Sequence, residues 1–192
     1  MIGCGGAGKT MLARELGALL SLPVLHIDGH YWRDVDGQQV ESTPDQWTQT
    51  HRELVAGERW IIDGMKLGAL PERLAAADRV VYLDFSTAAC LDGVLRRRIR
   101  YRGQLLPELG VYDRISLEFL RWILSFRRRQ RPRVLELLST YDGRLVVLRN
   151  RHEAGRFLRS VGPAQKRVTA PMPSTAISSA AGAGSTTSAA CL

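Results

Sequence analysis

Residues Gly3 to Thr10 read Gly-Cys-Gly-Gly-Ala-Gly-Lys-Thr, and this run constrains the fold more than any other part of the chain. Its spacing, G-x-x-x-x-G-K-[ST], calls for a strand leading into a tight loop and a helix leading out of it. Gly3, Gly5, Gly6 and Gly8, with the small Ala7 between, let successive backbone N–H groups converge on one point, because glycine tolerates the φ angles required. Lys9 is placed to reach β- and γ-phosphates, and Thr10 to set its hydroxyl on Mg²⁺. The helix opening through Met11 adds the positive end of its dipole. The expected ligand of this loop is a nucleoside triphosphate with magnesium.

The same stretch fits a second pattern. Gly3, Gly5 and Gly8 match G-x-G-x-x-G, and Asp28 lies 20 residues after Gly8, where a dinucleotide site wants a ribose-binding acid. The Lys-Thr pair directly after the last glycine is required by the phosphate-loop reading and unexplained by the dinucleotide one. The phosphate loop is therefore the reading carried forward.

Four apolar runs capped by polar residues mark buried strands: 23–28, 60–63, 79–84 and 144–148. Continuous runs of this kind belong to parallel sheets covered on both faces. Helical patterns fall near 10–20, 44–56, 87–102, 116–139 and 151–159. The alternation predicts a doubly wound α/β fold of the P-loop NTPase type. A strand should precede the phosphate loop at the centre of the sheet, yet only Met1 and Ile2 are there. The expectation is a first, central strand largely missing, either because the natural start lies upstream, the reading preferred, or because the chain is a truncated copy.

Length and composition bound the rest. The 192 residues suffice for one domain, residues 1–162. Residues 163–192 turn to Ala, Ser, Thr, Pro and Gly, and such a tail is expected to be disordered. The formal net charge is +8, carried almost wholly by arginine; the only lysines are Lys9, Lys66 and Lys166. The three separated cysteines, Cys4, Cys90 and Cys191, suit a reducing cytosol rather than a disulfide framework. Cys4 reads as a small residue tolerated in the loop. No apolar run is long enough to span a bilayer and no signal pattern is present, so a cytoplasmic protein without a membrane partner is expected.

Asp28 and Asp63 each close an apolar run, and in open parallel sheets ligands gather at the carboxyl ends of strands. Asp63, after Trp60-Ile61-Ile62, has the Walker B arrangement, in which the acid serves Mg²⁺. Asp28 is expected to address the acceptor or act as general base. Asp84 is a weaker candidate of the same kind, and His26 and His30 read as structural. Two arginine clusters, 96–102 and 127–133, offer a lid over the phosphates or a basic face for nucleic acid. Arg98 and Arg129 are the members expected to stabilise charge during transfer.

The phosphate loop, Leu22-Pro23-Val24-Leu25-His26-Ile27-Asp28 with Tyr31-Trp32, Trp60-Ile61-Ile62-Asp63-Gly64, Leu95-Arg96-Arg97-Arg98-Ile99-Arg100-Tyr101-Arg102-Gly103 and Glu118-Phe119-Leu120-Arg121-Trp122 together resemble the adenylate-kinase-related DNA topology modulation proteins. The resemblance covers about residues 1–160. It implies a nucleoside-kinase-like core that uses ATP and Mg²⁺ under a short lid, on an unidentified nucleotide or small-molecule acceptor. Its name also suggests a nucleic-acid-associated ATPase, and a non-catalytic nucleotide binder is a further alternative. The chain departs from the family after Gly64, where Met65-Lys66-Leu67 replaces the usual Asn-Tyr-Ser.

Overall fold

The computed structural model describes residues 1–35, 38–102, 104–106, 111–112 and 115–168. Strand β1 (Ile2–Gly3) feeds the glycine loop and helix α1 (Lys9–Leu20). There follow β2 (Val24–His26), the short helix α2 (Ile27–Tyr31), a hairpin of β3 (Trp32–Val35) and β4 (Gln38–Glu41), and α3 (Pro44–Val55). Next are β5 (Ile61–Asp63), α4 (Leu70–Ala76), β6 (Arg79–Leu83) and α5 (Thr87–Tyr101). The two-residue strands β7 (Leu105–Leu106) and β8 (Val111–Tyr112) pair antiparallel. Helices α6 (Leu117–Arg129) and α7 (Arg131–Ser139), strand β9 (Arg144–Leu148) and helix α8 (Arg151–Val168) complete the described chain.

The result is a mixed α/β structure, mostly helical, around a small parallel sheet. β1 pairs with β6 and β6 with β9, while β2 pairs with β5, each in parallel. The two ladders meet at Met1: its N–H group donates to the Ile62 carbonyl, and the Gly64 N–H donates to the Met1 carbonyl at 3.3 Å. Alternating bonds of this kind are those of a parallel ladder. The strands therefore lie in the order β2-β5-β1-β6-β9. The first strand, expected to be largely missing, is two residues long: Ile2 and Gly3 pair with β6, and Met1 makes the bonds on the β5 side.

Side chains alternate across the sheet, so β6 feeds two cores. Val81 and Leu83 join Leu12, Leu16, Val94, Ile123, Phe126 and Leu148 on one face, where α1, α5, α6 and α8 pack. Val80 and Tyr82 join Ile2, Leu70, Val134 and Leu138 on the other, beneath α4 and α7. Tyr82, Ile123 and Val134 are fully buried.

Local chemistry explains the helix limits. Thr43 accepts from the Gln46 N–H while the Gln46 side chain accepts from the Thr43 N–H, and Pro44 opens α3. Ser86 and Ser116 cap α5 and α6 in the same way. The single helix expected over 116–139 is two, broken at Gln130. Pro132 lies in the first turn of α7, where its missing N–H costs nothing. The strand expected to end at Asp28 stops at His26, and the backbone turns helical at Ile27. α8 runs past residue 162 to Val168, so the expected boundary of the tail lies inside a helix; residues 169–192 lie outside the described residues. Among the described residues, no helix is long and apolar enough to cross a membrane.

Candidate functional site

The glycine loop leaves β1 at the carboxyl edge of the sheet and caps α1. Gly8, at φ 87°, is the N-cap of that helix. Gly6 adopts φ 79°, and a Cβ there would collide with the carbonyl oxygen of Cys90 on α5. Both the left-handed backbone and the contact demand glycine. Nothing lies within 4 Å of where a Cβ on Gly8 would sit. Among the described residues, the N–H groups of Gly6, Gly8, Lys9 and Thr10 have no hydrogen-bond acceptor. Four such donors around open space at a helix N-terminus form an anion cradle. Lys9 Nζ folds back over the loop and donates to the Cys4 carbonyl at 3.1 Å. Cys4 is buried; a hydrogen bond with Cys90 and then burial push its thiol far up, so it is not a nucleophile.

Asp63 ends β5 directly beside the start of α1. Its Oδ2 accepts from Thr10 Oγ1 at 2.7 Å and from His26 Nδ1 at 3.1 Å. The second bond fixes the His26 proton on Nδ1, since a carboxylate only accepts. Asp63 is 3% exposed, and its Oδ1 is buried with no partner. Burial pushes this carboxyl up, but hydrogen bonds from His26 and Thr10 and the charge of Lys9 outweigh it and hold the group below its usual range. Gly64, at φ 141°, follows; a Cβ there would collide with the side chain of Ile27.

The loop forms one wall of an open cleft of about 1630 Å³. Asp63 lines it beside Thr10, and Asp28, Trp32 and Lys66 line it beyond the loop, at its far end. Asp28 sits in the first turn of α2 rather than at a strand end. Burial raises its carboxyl, with Lys9 opposing. Lys66 places its ammonium 3.0 Å from the centre of the Tyr31 ring, and the Tyr31 hydroxyl donates to Glu41 Oε2 at 2.6 Å. Tyr31 packs edge-on against both Trp32 and Trp47. Beneath them, the buried Arg73 donates to the carbonyls of Gly64 and Lys66 at 3.1 and 3.2 Å. Burial lowers its guanidinium to about 10, with Asp63 and Asp28 opposing.

On the near side, Arg96, Arg97 and Arg100 of α5 line the cleft together with Phe119 and Trp122 of α6. The two rings stack at 6.1 Å and 12°, and they cover Gly5 so closely that a Cβ there would come within 2.8 Å of Phe119. Neither Arg98 nor Arg129, the arginines expected at the site, lines the cleft; both stand on exposed faces of their helices. Asp84 and two arginines of the second cluster bind one another. Arg131 forks onto both Asp84 oxygens at 2.8 Å, and Arg127 joins at 3.5 Å, tying α6 and α7 to the end of β6.

The structure thus brings together Gly5, Gly6, Gly8, Lys9, Thr10, Asp28 and Asp63, and with them Met11, as cleft residues. Gly3 and Ala7 shape the loop from β1 and from beneath. His26, Lys66 and Arg73 were not expected there. His26 carried a usable signal, since it alternates with Leu25 at the end of a strand paired with β5. Arg73 carried none, because one arginine in a short amphipathic helix reads as surface. No protein-family model and no curated protein matches the sequence.

Proposed function

We propose that the chain is a P-loop phosphotransferase with a doubly wound α/β core, akin to the adenylate-kinase-related DNA topology modulation proteins. It moves the terminal phosphoryl group of ATP to a nucleotide or small-molecule acceptor. The observation that carries the reading is the 2.7 Å bond from Thr10 to Asp63, set beside four unpartnered loop amides. That bond joins the threonine after the loop lysine to the acid ending the neighbouring strand, the pair that serves magnesium in such sites.

The donor set fits Mg²⁺. Among the described residues, no group of three or more His, Cys, Asp or Glu side chains could cage a metal. Mg²⁺ needs no cage: it keeps several waters and uses one or two protein oxygens plus phosphates. Thr10 Oγ1 and the unpartnered Asp63 Oδ1 are oxygens of the required kind. When bound, the ion neutralises charge on the phosphate oxygens.

The chain's residues divide the remaining work. The loop amides and the N-terminus of α1 hold phosphate oxygens. Lys9 exchanges its bond to the Cys4 carbonyl for the phosphates, at little cost because one acceptor replaces another. Arg100, and Arg96 through the part of its guanidinium not held by Asp92, line the cleft and supply positive charge for what develops during transfer. Asp28 receives the proton of the attacking hydroxyl, a task suited to a carboxyl raised by burial.

Calorimetry tests the reading. Mg-ATP binds the native chain, and Lys9→Ala weakens that binding by about 100-fold or more, as expected for a charge-assisted contact with the phosphates. Unchanged affinity in Lys9→Ala rejects the phosphate-loop assignment.

A further inference from the structure

We infer that the far end of the cleft takes an uncharged, hydroxyl-bearing acceptor with a flat or CH-rich face, and rejects acceptors that carry a phosphate. The inference rests on the phosphotransferase reading and narrows its acceptor.

Four observations carry it. First, Asp28 lines the cleft, and among the described residues no group donates a hydrogen bond to its carboxyl. A half-buried carboxylate that lines a cleft without a protein donor can be completed by a ligand donor, and a hydroxyl supplies one.

Second, two of the positive groups that act on Asp28, Lys66 and Arg73, are held by the protein, and the third, Lys9, belongs to the phosphate loop. Arg73 is buried, and its two terminal nitrogens are bound to the carbonyls of Gly64 and Lys66. Lys66 sits on the Tyr31 ring, whose hydroxyl is bound to the Glu41 carboxylate. Phosphate monoesters carry nearly two negative charges and are gripped by arginine forks.

Third, Asp28 and Asp63 both line the cleft and repel one another's charge, and Lys66 is balanced by Asp28 and Glu41. With Lys9 committed to the phosphates of ATP, an acceptor phosphate beside Asp28 meets these carboxylates.

Fourth, Trp32 lines this end while keeping 38% of its surface exposed, edge-on to Tyr31. An exposed indole in a cleft offers a face for a nucleobase ring or the CH face of a sugar.

The step balances simply. The acceptor oxygen bonds to the terminal phosphorus of ATP as the bond to the bridging oxygen breaks. ADP leaves with that electron pair, and the hydroxyl proton passes to Asp28 and then to solvent. Nothing is oxidised or reduced.

The test follows ADP release from Mg-ATP by the full chain. The probes are adenosine, thymidine and cytidine with their 5′-monophosphates, and sorbitol and myo-inositol with their monophosphates. At least one neutral compound stimulates release, and its phosphorylated counterpart is about ten-fold or more weaker. The nucleoside and polyol arms separate the two sources of the shared chemistry. Asp28→Asn loses about 100-fold or more of the stimulated rate, the range of a general base, while its Mg-ATP affinity by calorimetry stays within about two-fold, which also shows that the variant is folded. Trp32→Ala raises KM for the neutral probe with kcat nearly unchanged. A preference for the phosphorylated compounds overturns the inference. So does full stimulation in Asp28→Asn, or no response to any neutral probe by a chain that binds Mg-ATP. Absence of Mg-ATP binding is a different failure, that of the phosphotransferase reading, and the inference falls with it.

Discussion

Asp63→Asn separates the structural and chemical duties of one carboxylate. The change is isosteric, so packing on β5 is kept. The amide oxygen can replace Oδ2 and still accept from Thr10 and His26. Both bonds lose their charge-assisted part, about 1 kcal/mol each. Relief from burying a carboxylate, here 3% exposed, offsets some of that loss. The net cost is about 1–2 kcal/mol at neutral pH, or roughly 2–8 °C in Tm for a chain of this size. The sign with pH follows from the lowered carboxyl. A group whose folded pKa is depressed stabilises above its unfolded value, and that contribution is lost as pH falls through the folded value. The gap between native and Asp63→Asn thermal stability is therefore widest at neutral pH and closes toward pH 3. The chemical effect is larger. The amide nitrogen now occupies the place of the unpartnered Oδ1 and presents hydrogens where a cation or its water needs an acceptor. Calorimetry of ATP with and without Mg²⁺ reads this directly. The native chain gains affinity from magnesium; Asp63→Asn gains about ten-fold less or worse, while metal-free ATP binds both alike. Equal magnesium enhancement in the two proteins, at equal stability, refutes the assignment of Oδ1 to the ion.

Gly6→Ala forces a side chain into a left-handed backbone and onto the Cys90 carbonyl; it lowers stability by about 1–3 kcal/mol in urea titrations and abolishes nucleotide binding. Arg131→Met breaks the fork onto Asp84 and costs about 1–3 kcal/mol, discounted because Arg131 is 30% exposed, while Mg-ATP affinity stays unchanged. Asp84 is held low chiefly by Arg131, so the native excess of stability over Arg131→Met shrinks as pH falls through the lowered Asp84 value, as thermal melts between pH 3 and 7 show.

The parallel strands were legible because each is an unbroken apolar run bounded by polar residues, as Val80 to Leu83 illustrates. The glycine loop was legible because its geometry admits few other residues. The helical turn at Ile27 was not. Strand pattern persists through Ile27 and Asp28, and only the packing of Ile27 beneath Gly64 shows why the chain turns there. The break at Gln130 was readable from Pro132 but was masked by apolar periodicity that continues across it. The hairpin of β3 and β4 lacks the alternation that marks a half-buried strand, since Arg33, Asp34, Gln38 and Gln39 dominate it. Site residues split along the same line. Lys9, Thr10 and Asp63 announce themselves through spacing. Arg73 and Lys66 matter through what folding places beside them, a pair of carbonyls in one case and a tyrosine ring in the other.

The arginines show why composition misleads about partners. A charge of +8 carried by arginine suggests a phosphate backbone. Counterion-driven binding requires those charges to be presented together and unopposed. Here Asp84 holds Arg127 and Arg131, and Asp92 holds Arg96 and Arg151, the latter at 2.6 Å. Asp84 ties α6 and α7 to the end of β6 through two arginines, while Asp92 pairs with Arg96 within α5 and ties α5 to α8 through Arg151. Arg97 and Arg100 of α5 line the same cleft as the glycine loop. The same residue type therefore does two jobs set by position alone. At the carboxyl end of β6 and between α5 and α8, arginine fastens elements; beside the glycine loop it lines a cleft. On the proposed phosphotransferase reading, the cleft arginines meet a compact triphosphate, and the fastened ones are withdrawn from any extended polyanion.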